Sequence, residues 1–177
     1  FYGKNFIGTF YHPSEVIIDI NFLKSLPNRE IKSGYAEILK HALIKDNVFF
    51  NWLDKNYNKI FKLETKFLEK AIIKSILIKL NYVLKDTNEK LLTKESRAML
   101  NYGHSFGHAI EAYYGYSNKI NHGEAISVGM IIEAKISNIL GFLSSNKLAK
   151  ILDHFSKTKL KTTDTKYKSN EVLKILF

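Results

Sequence analysis

Apolar residues recur along most of this chain at intervals of three and four, the period of an amphipathic helix. The pattern is clearest over 65–85, where Phe67, Leu68, Ala71, Ile72, Leu77, Leu80 and Leu84 keep helical spacing and mark a core-facing helix. The same reading predicts helices over 29–45, 47–61, 96–114, 122–140, 145–157 and 170–177. Local punctuation supports these boundaries. Asn28 is placed to cap the first helix, with Glu30 in its opening turn. Asn121 followed three residues later by Glu124 reads as a capping box for the helix that starts at 122. Gly115 and Gly141 fall where a left-handed residue ends a helix. Gly34, inside the first helix, costs about 1 kcal/mol against Ala, which points to a close backbone approach there. Four stretches break the helical pattern. Residues 1–13 are rich in Gly and aromatics and end at Pro13, as a loop or strand edge does. Val16-Ile17-Ile18-Asp19-Ile20 is short, β-branched and nearly all apolar, as a buried strand is. Phe22 to Pro27 reads as a turn and 85–95 as a polar loop. The expected fold class is mainly α, a multi-helical bundle preceded by one short strand. A lone strand needs a sheet, so the strand is expected to belong to an α/β domain outside this chain.

Composition narrows the setting. The chain has 177 residues, of which 45% are apolar and 13% aromatic, enough for a real core. Cys is 0, which removes disulfides, thiolate metal sites and Cys nucleophiles; any metal has to sit on His and carboxylate. No apolar run approaches the ~20 residues of a membrane span, and residues 1–13 lack the pattern of a signal peptide, so no membrane and a cytoplasmic setting are expected. Met occurs only at 99 and 130, and the chain reads as a piece of something longer. The net charge of +10 invites a nucleic-acid reading, yet of 27 basic residues only Arg29 and Arg97 are Arg. A base-reading surface leans on Arg for bidentate contacts, so no nucleic-acid partner is expected and attraction of a phosphorylated metabolite fits better. The densest basic run, Lys157, Lys159, Lys161, Lys166 and Lys168, reads as a solvated segment.

The chemistry concentrates in 96–114. Arg97, Asn101, His104, His108 and Glu111 are spaced 4, 3, 4 and 3, one stripe along a single face of the expected helix. The rest of that helix is apolar, and a polar stripe on a buried helix is costly unless something polar faces it. Gly103 and Gly107 remove side chains beside the stripe, which lets a ligand or a second helix come close. His104 and His108, at i and i+4, have the spacing to share a metal. His122-Gly123-Glu124 follows across a short loop, and Glu37 on the first helix supplies a carboxylate beside Lys40 and His41. Two His and one carboxylate with open positions form a zinc-type catalytic set, and the spacing alone leaves open which His residues belong to it. His12, His41 and His154 read as satisfied core histidines.

Four blocks carry a family resemblance. Leu100-Asn101-Tyr102-Gly103-His104-Ser105-Phe106-Gly107-His108-Ala109-Ile110-Glu111 resembles the LNxGHxFGHAIE motif of the 3-dehydroquinate synthases. His122-Gly123-Glu124-Ala125-Ile126 is similar to their HGEAV motif, and Ser33-Gly34-Tyr35-Ala36-Glu37-Ile38-Leu39-Lys40 to their GxAEVIK motif. Gly3-Lys4-Asn5-Phe6-Ile7-Gly8-Thr9-Phe10 resembles GKNLIGAF. The blocks fall in the family's order and cover residues 3 to about 141.

The resemblance implies roles by position. Glu37, His104 and His122 match the metal ligands, for Zn2+ or Co2+. His108 then matches a substrate-facing group near the departing phosphate rather than a ligand. Lys40, Arg97, Asn101 and Asn5 match substrate-binding positions. Lys4 matches a contact to NAD, and Phe22, Leu23, Lys24 and Ser25 a second cofactor-contacting stretch. The implied reaction converts a phosphorylated sugar acid, 3-deoxy-D-arabino-heptulosonate 7-phosphate, into 3-dehydroquinate and phosphate. It proceeds by transient NAD-dependent oxidation, phosphate elimination, reduction and intramolecular aldol closure. The implied organisation is 1–27 as the end of a nucleotide-binding domain with its linker, and 28–177 as a helical metal- and substrate-binding domain with a truncated C-terminus. A homodimer is implied for the full-length protein.

Departures bound the match. The loop before Arg97 is longer than the family pattern, with Glu95-Ser96-Arg97 where Gly-Leu-Arg is usual, and its acidic residues have no clear counterparts. The two metal-site His are also one residue farther apart than usual. Alternatives are another sugar-phosphate cyclase, a metal-dependent polyol dehydrogenase of the same layout, or a non-catalytic helical module. An isolated chain without the nucleotide-binding half is expected to be inactive.

Overall fold

Helices form where the three–four pattern places them. The computed structural model describes residues 8, 9, 11, 13–163 and 167–176. It contains α1 (Asn28–Lys45), α2 (Asn47–Phe61), α3 (Thr65–Lys85), α4 (His104–Tyr113), α5 (His122–Ile139), α6 (Ser145–Thr158) and α7 (Ser169–Leu176). Asp46 caps α2 by accepting from Phe49 N at 2.8 Å. The capping box of α5 is complete, with Asn121 and Glu124 bonding reciprocally. At α1 the expectation fails by one residue: Pro27 holds the cap position without a side-chain bond, and Asn28 is the first helical residue. Proline's fixed φ, here −59°, aims its carbonyl into the first turn, where it accepts from Glu30 N and Ile31 N.

Three other expectations change. Among the described residues there is no strand. Val16, Ile17 and Ile18 are exposed, and Ile20–Ser25 wind into a 3-10 turn capped by Asp19. β-branched composition alone does not make a strand, because an unpaired edge leaves its N–H and C=O groups to water. The helix expected over 96–114 is two pieces, a 3-10 turn at Arg97–Asn101 and then α4. They are joined at Gly103, whose φ of +79° is left-handed and cannot continue a helix. The stripe therefore does not lie on one helix face. Finally, α3 buries Leu68, Ala71, Ser75, Ile78 and Tyr82, while Leu77, Leu80 and Leu84 are exposed.

The core is built around α5, which is apolar on nearly all sides and buries every residue from Ala125 to Ile131. One cluster joins α1, α2, α3, α5 and α6; a second joins α4, α5 and α7. Glycines let α5 approach its neighbours at backbone distance. A Cβ on Gly129 would lie 2.0 Å from Gly103 O, and one on Gly123 would lie 2.3 Å from Ser33 Cα. Gly103 and Gly107 abut Met130 and Ile126, so the space they leave beside the stripe is taken by a helix. Gly34 faces open space, so the close approach expected there occurs at Gly123 instead. His41 and His154 are buried and bonded, as expected of core histidines. His12 lies outside the described residues. No described helix is long and apolar enough to cross a membrane.

Candidate metal and substrate site

The two glycine-mediated crossings bring the start of α4, the start of α5 and the middle of α1 to one point. Glu37, His104 and His122 each offer a ligand atom there, all within 4.8 Å of one another. Glu37 Oε1 lies 3.7 Å from His104 Nε2 and 3.7 Å from His122 Nε2. Ligand atoms ~2.0–2.2 Å from one tetrahedral Zn2+ stand roughly 3.3–3.5 Å apart, so a small closure of the set suffices.

Each ligand atom is oriented by a second contact. Lys40, on the same face of α1 and itself buried, donates to Glu37 Oε2 at 2.7 Å. Glu37 Oε1 is buried and has no hydrogen-bond partner. His104 Nδ1 bonds Tyr102 O at 3.3 Å, and His122 Nδ1 bonds Glu111 Oε1 at 3.2 Å. A carbonyl and a carboxylate only accept, so both Nδ1 atoms donate to these partners, which turns both Nε2 atoms toward Glu37. Burial would raise the Glu37 carboxyl, but the charge and hydrogen bond of Lys40, then the two His, hold it below its ordinary value. Burial, followed by the charge of Lys40, pushes His104 below its ordinary value, into the neutral form that ligates. An ionised carboxylate with one orphaned oxygen, faced by the Nε2 atoms of two imidazoles, is a donor set suited to a divalent cation.

The remaining site residues divide. His108 is exposed on α4, its ring centroid 5.2 Å from that of His104 and 6.0 Å from that of His122. It thus joins the cluster at its open side. His108, Glu111 and His122 form a second group whose ligand atoms converge, but there Glu111 is already bonded to His122 Nδ1. Arg97 and Asn101 turn toward the 86–96 loop. Arg97 Nη1 donates to Thr87 O at 3.0 Å, and Asn101 Nδ2 to Glu89 Oε1 at 2.9 Å. That loop is organised by Asp86, which accepts from the backbone N–H groups of Lys90, Leu91 and Arg97 and from Ser96 Oγ. Phe22, Leu23, Lys24 and Ser25 belong to the 3-10 turn against α3, where Lys24 Nζ bonds Asn21 Oδ1 at 2.9 Å. Lys4 and Asn5 lie outside the described residues.

Sequence reasoning placed Glu111 on the stripe without a role. Its offset of three from His108 was the available signal, but the partner, His122, comes from another helix. Asp86 carries no local signal, because its bonds run to residues up to 11 positions away. A basic cavity of about 350 Å³, lined by Arg29, Lys32, Lys159 and Lys161 with Ser33 and Glu124, flanks the α1–α5 crossing. Two members of the run read as solvated, Lys159 and Lys161, thus border a cavity.

Comparison with known proteins places the chain in a family. The family model described as 3-dehydroquinate synthase C-terminal matches residues 34–177, and the one described as 3-dehydroquinate synthase N-terminal matches residues 1–33. The chain belongs to the 3-dehydroquinate synthase family. A 3-dehydroquinate synthase from Thermodesulfovibrio yellowstonii is 50% identical over 149 residues, 84% of this chain and 40% of the relative. One from Buchnera aphidicola subsp. Baizongia pistaciae is 41% identical over 169 residues, 96% of this chain and 46% of the relative. The chain thus spans less than half the length of these family members. Among solved structures, ValA, a 2-epi-5-epi-valiolone synthase from Streptomyces hygroscopicus subsp. jinggangensis with NAD+ and Zn2+ bound, matches with TM-score 0.88 and 25% identity. The match covers 99% of this chain and 48% of that one. A 2-deoxy-scyllo-inosose synthase complexed with carbaglucose-6-phosphate, NAD+ and Co2+ matches with TM-score 0.83 and 30% identity, over 99% and 46%. The family's fold is therefore that of the sugar-phosphate cyclases.

Proposed function

We propose that this chain is the metal- and substrate-binding part of a 3-dehydroquinate synthase. Residues 1–27 are the end of the nucleotide-binding domain with its linker, and 28–177 the helical domain. The whole protein would convert 3-deoxy-D-arabino-heptulosonate 7-phosphate into 3-dehydroquinate and phosphate. The observation that carries this reading is Glu37 Oε1, buried, unpartnered and 3.7 Å from the Nε2 atoms of two histidines.

In this reading Glu37, His104 and His122 hold Zn2+ or Co2+, and NAD is the second cofactor. When bound, the ion supplies Lewis acidity toward substrate hydroxyls and the dinucleotide supplies reversible hydride acceptance. Lys40 holds Glu37 in its ligating orientation and places a buried positive charge beside the anionic substrate. His108 would carry a proton to the departing phosphate, a role its exposure beside His104 supports. Arg97 and Asn101 have guanidinium and amide groups to offer the phosphate once released from Thr87 and Glu89. In the exposed turn, Lys24 and Ser25 are bonded within the turn, so no step is assigned there. Asn5 and Lys4 keep the substrate and NAD roles given by their motif. The whole protein is proposed to act as a homodimer in the cytoplasm.

The test is phosphate release with metal content measured on the same samples. The 177-residue chain with Zn2+ and NAD+ should bind metal and release no phosphate; a polypeptide that adds the nucleotide-binding half should release it. In that longer protein His108→Ala should keep the metal and slow release by ~10²–10⁴-fold. Turnover by the 177-residue chain alone would contradict the division of roles. A second reading, another sugar-phosphate cyclase, is supported by the solved neighbours. The higher identity of 41–50% to 3-dehydroquinate synthases, against 25–30% to those cyclases, favours the first. Assaying the longer protein with both substrates separates the two.

A further inference from the structure

We infer that Glu133, on α5, is a positioning residue that sets the metal site by pinning the joint ahead of His104. The inference rests on the metal reading above. It starts from a deficit at the start of α4. The N-cap there is Gly103, which has no side chain to bond the helix's first N–H groups, and the position three residues on is Phe106, which cannot reach back. Contrast α5, where Asn121 and Glu124 supply both halves of a capping box from within the helix. For α4 the missing half comes from α5: Glu133 Oε2 accepts from Gly103 N at 2.9 Å.

This bond cannot easily be replaced. Gly103 is buried, so its N–H has no recourse to water. It is also left-handed at φ +79°, and a Cβ there would lie 2.6 Å from Met130 Cγ and 2.9 Å from Ile126 O. The joint is thus seated in a cradle of α5 residues and held by one carboxylate. Tyr102, just before it, donates its hydroxyl to Met130 O at 2.9 Å. The Tyr102 carbonyl is what orients His104 Nδ1. Glu133 therefore fixes, through Gly103, both the carbonyl that sets the tautomer of His104 and the Cα of His104 itself. Because α5 also begins with His122, one helix holds both imidazoles of the set in register.

The arrangement is costly to stability, which argues for a role beyond it. Glu133 Oε1 is buried without a hydrogen-bond partner, and burial pushes the carboxyl above its ordinary value despite the Gly103 bond. A half-satisfied buried carboxylate is worse for folding than an apolar residue, unless what it positions matters.

The test is Co2+ binding to the 177-residue chain, read by affinity and by the visible absorption of the bound ion. Glu133→Leu removes the acceptor and should weaken Co2+ binding by ~10–100-fold and alter the spectrum. Glu133→Gln keeps an acceptor oxygen and should return affinity to within a few-fold of wild type with the wild-type spectrum. Phe155→Leu, a buried change on α6, should lower thermal stability while leaving both readouts unchanged. Wild-type affinity and spectrum in Glu133→Leu would overturn the inference, as would equal weakening by Phe155→Leu. If Glu133→Leu does not fold, failure of Glu133→Gln to retain the wild-type spectrum overturns it equally. Absence of Co2+ binding by the wild type would instead overturn the metal reading on which it rests.

Discussion

Two histidine–carboxylate clusters of this molecule share helix α1, through Tyr35 in one and Glu37 in the other, and they are finished differently. In the first, His154 sits at 0% exposure between Tyr35 Oη at 2.9 Å and Asp54 Oδ1 at 2.8 Å. Both ring nitrogens are used, so the cluster is complete without a ligand. In the second, Glu37 lies two residues along α1 from Tyr35, and its Oε1 is left over while two imidazole Nε2 atoms face it. A sequence holds the same residue types in both places. What separates a structural histidine from a candidate ligand is whether the donors and acceptors already close on one another. A closed network stiffens a core, whereas an open, convergent one has room for an ion.

The widest separation between the clusters should come from their histidines. His104→Ala should weaken Zn2+ binding by at least ~100-fold, beyond what loss of an orienting partner costs, with ~1 kcal/mol or less lost from the metal-free fold. His154→Ala should do the reverse, leaving Zn2+ affinity intact while costing roughly 3–4 kcal/mol, because it opens a cavity and strands Tyr35 and Asp54. Competition with a zinc indicator and chemical denaturation of both variants read the two effects. Loss of Zn2+ binding in His154→Ala would break the distinction.

A smaller effect concerns pH. Burial, then the charge of Lys40, pushes His41 down to about 4, and burial also lowers His154 despite its bond to Asp54. Unfolded, each titrates near ~6.5, so below that pH the unfolded chain binds more protons than the fold does. Stability is therefore full above pH ~6.5 and falls as pH drops toward 4, by on the order of 3 kcal/mol for His41. His41→Asn should flatten part of this slope in denaturation curves measured across that window. An unchanged slope would show that His41 is not held neutral by its surroundings. The smallest effect is at Gly34. An added Cβ meets nothing within 4 Å, so Gly34→Ala should stabilise α1 by about 0.5–1 kcal/mol with Zn2+ affinity unchanged.

How much of this was legible in the sequence differs between fold and site. Helices α2 and α3 match their expected ranges and α5 ends one residue early, because period and capping are local signals and the Asn121–Glu124 box lies within four residues. The break at Gly103 was not legible. The 4, 3, 4, 3 spacing from Arg97 to Glu111 favours one helix, and only the contact with Met130 and Glu133 makes the left-handed joint the better choice. The segment expected as a strand, 16–20, is unpaired here because a strand is a property of two segments, and the expected partner belongs to a domain outside this chain. The convergence of Glu37, His104 and His122 could be proposed from motifs. That Lys40 frees one oxygen of Glu37, and that Glu111 orients His122, depend on packing between helices that share no local pattern.

Anomalous diffraction from crystals of the 177-residue chain grown with Zn2+, recorded on both sides of the zinc edge, tests the central claim most directly. The account predicts one strong peak lying ~2.0–2.2 Å from Glu37 Oε1, His104 Nε2 and His122 Nε2, with Lys40 still bonded to Oε2. A peak at His154 and Asp54, or none between Glu37 and the two histidines at saturating Zn2+, would contradict it.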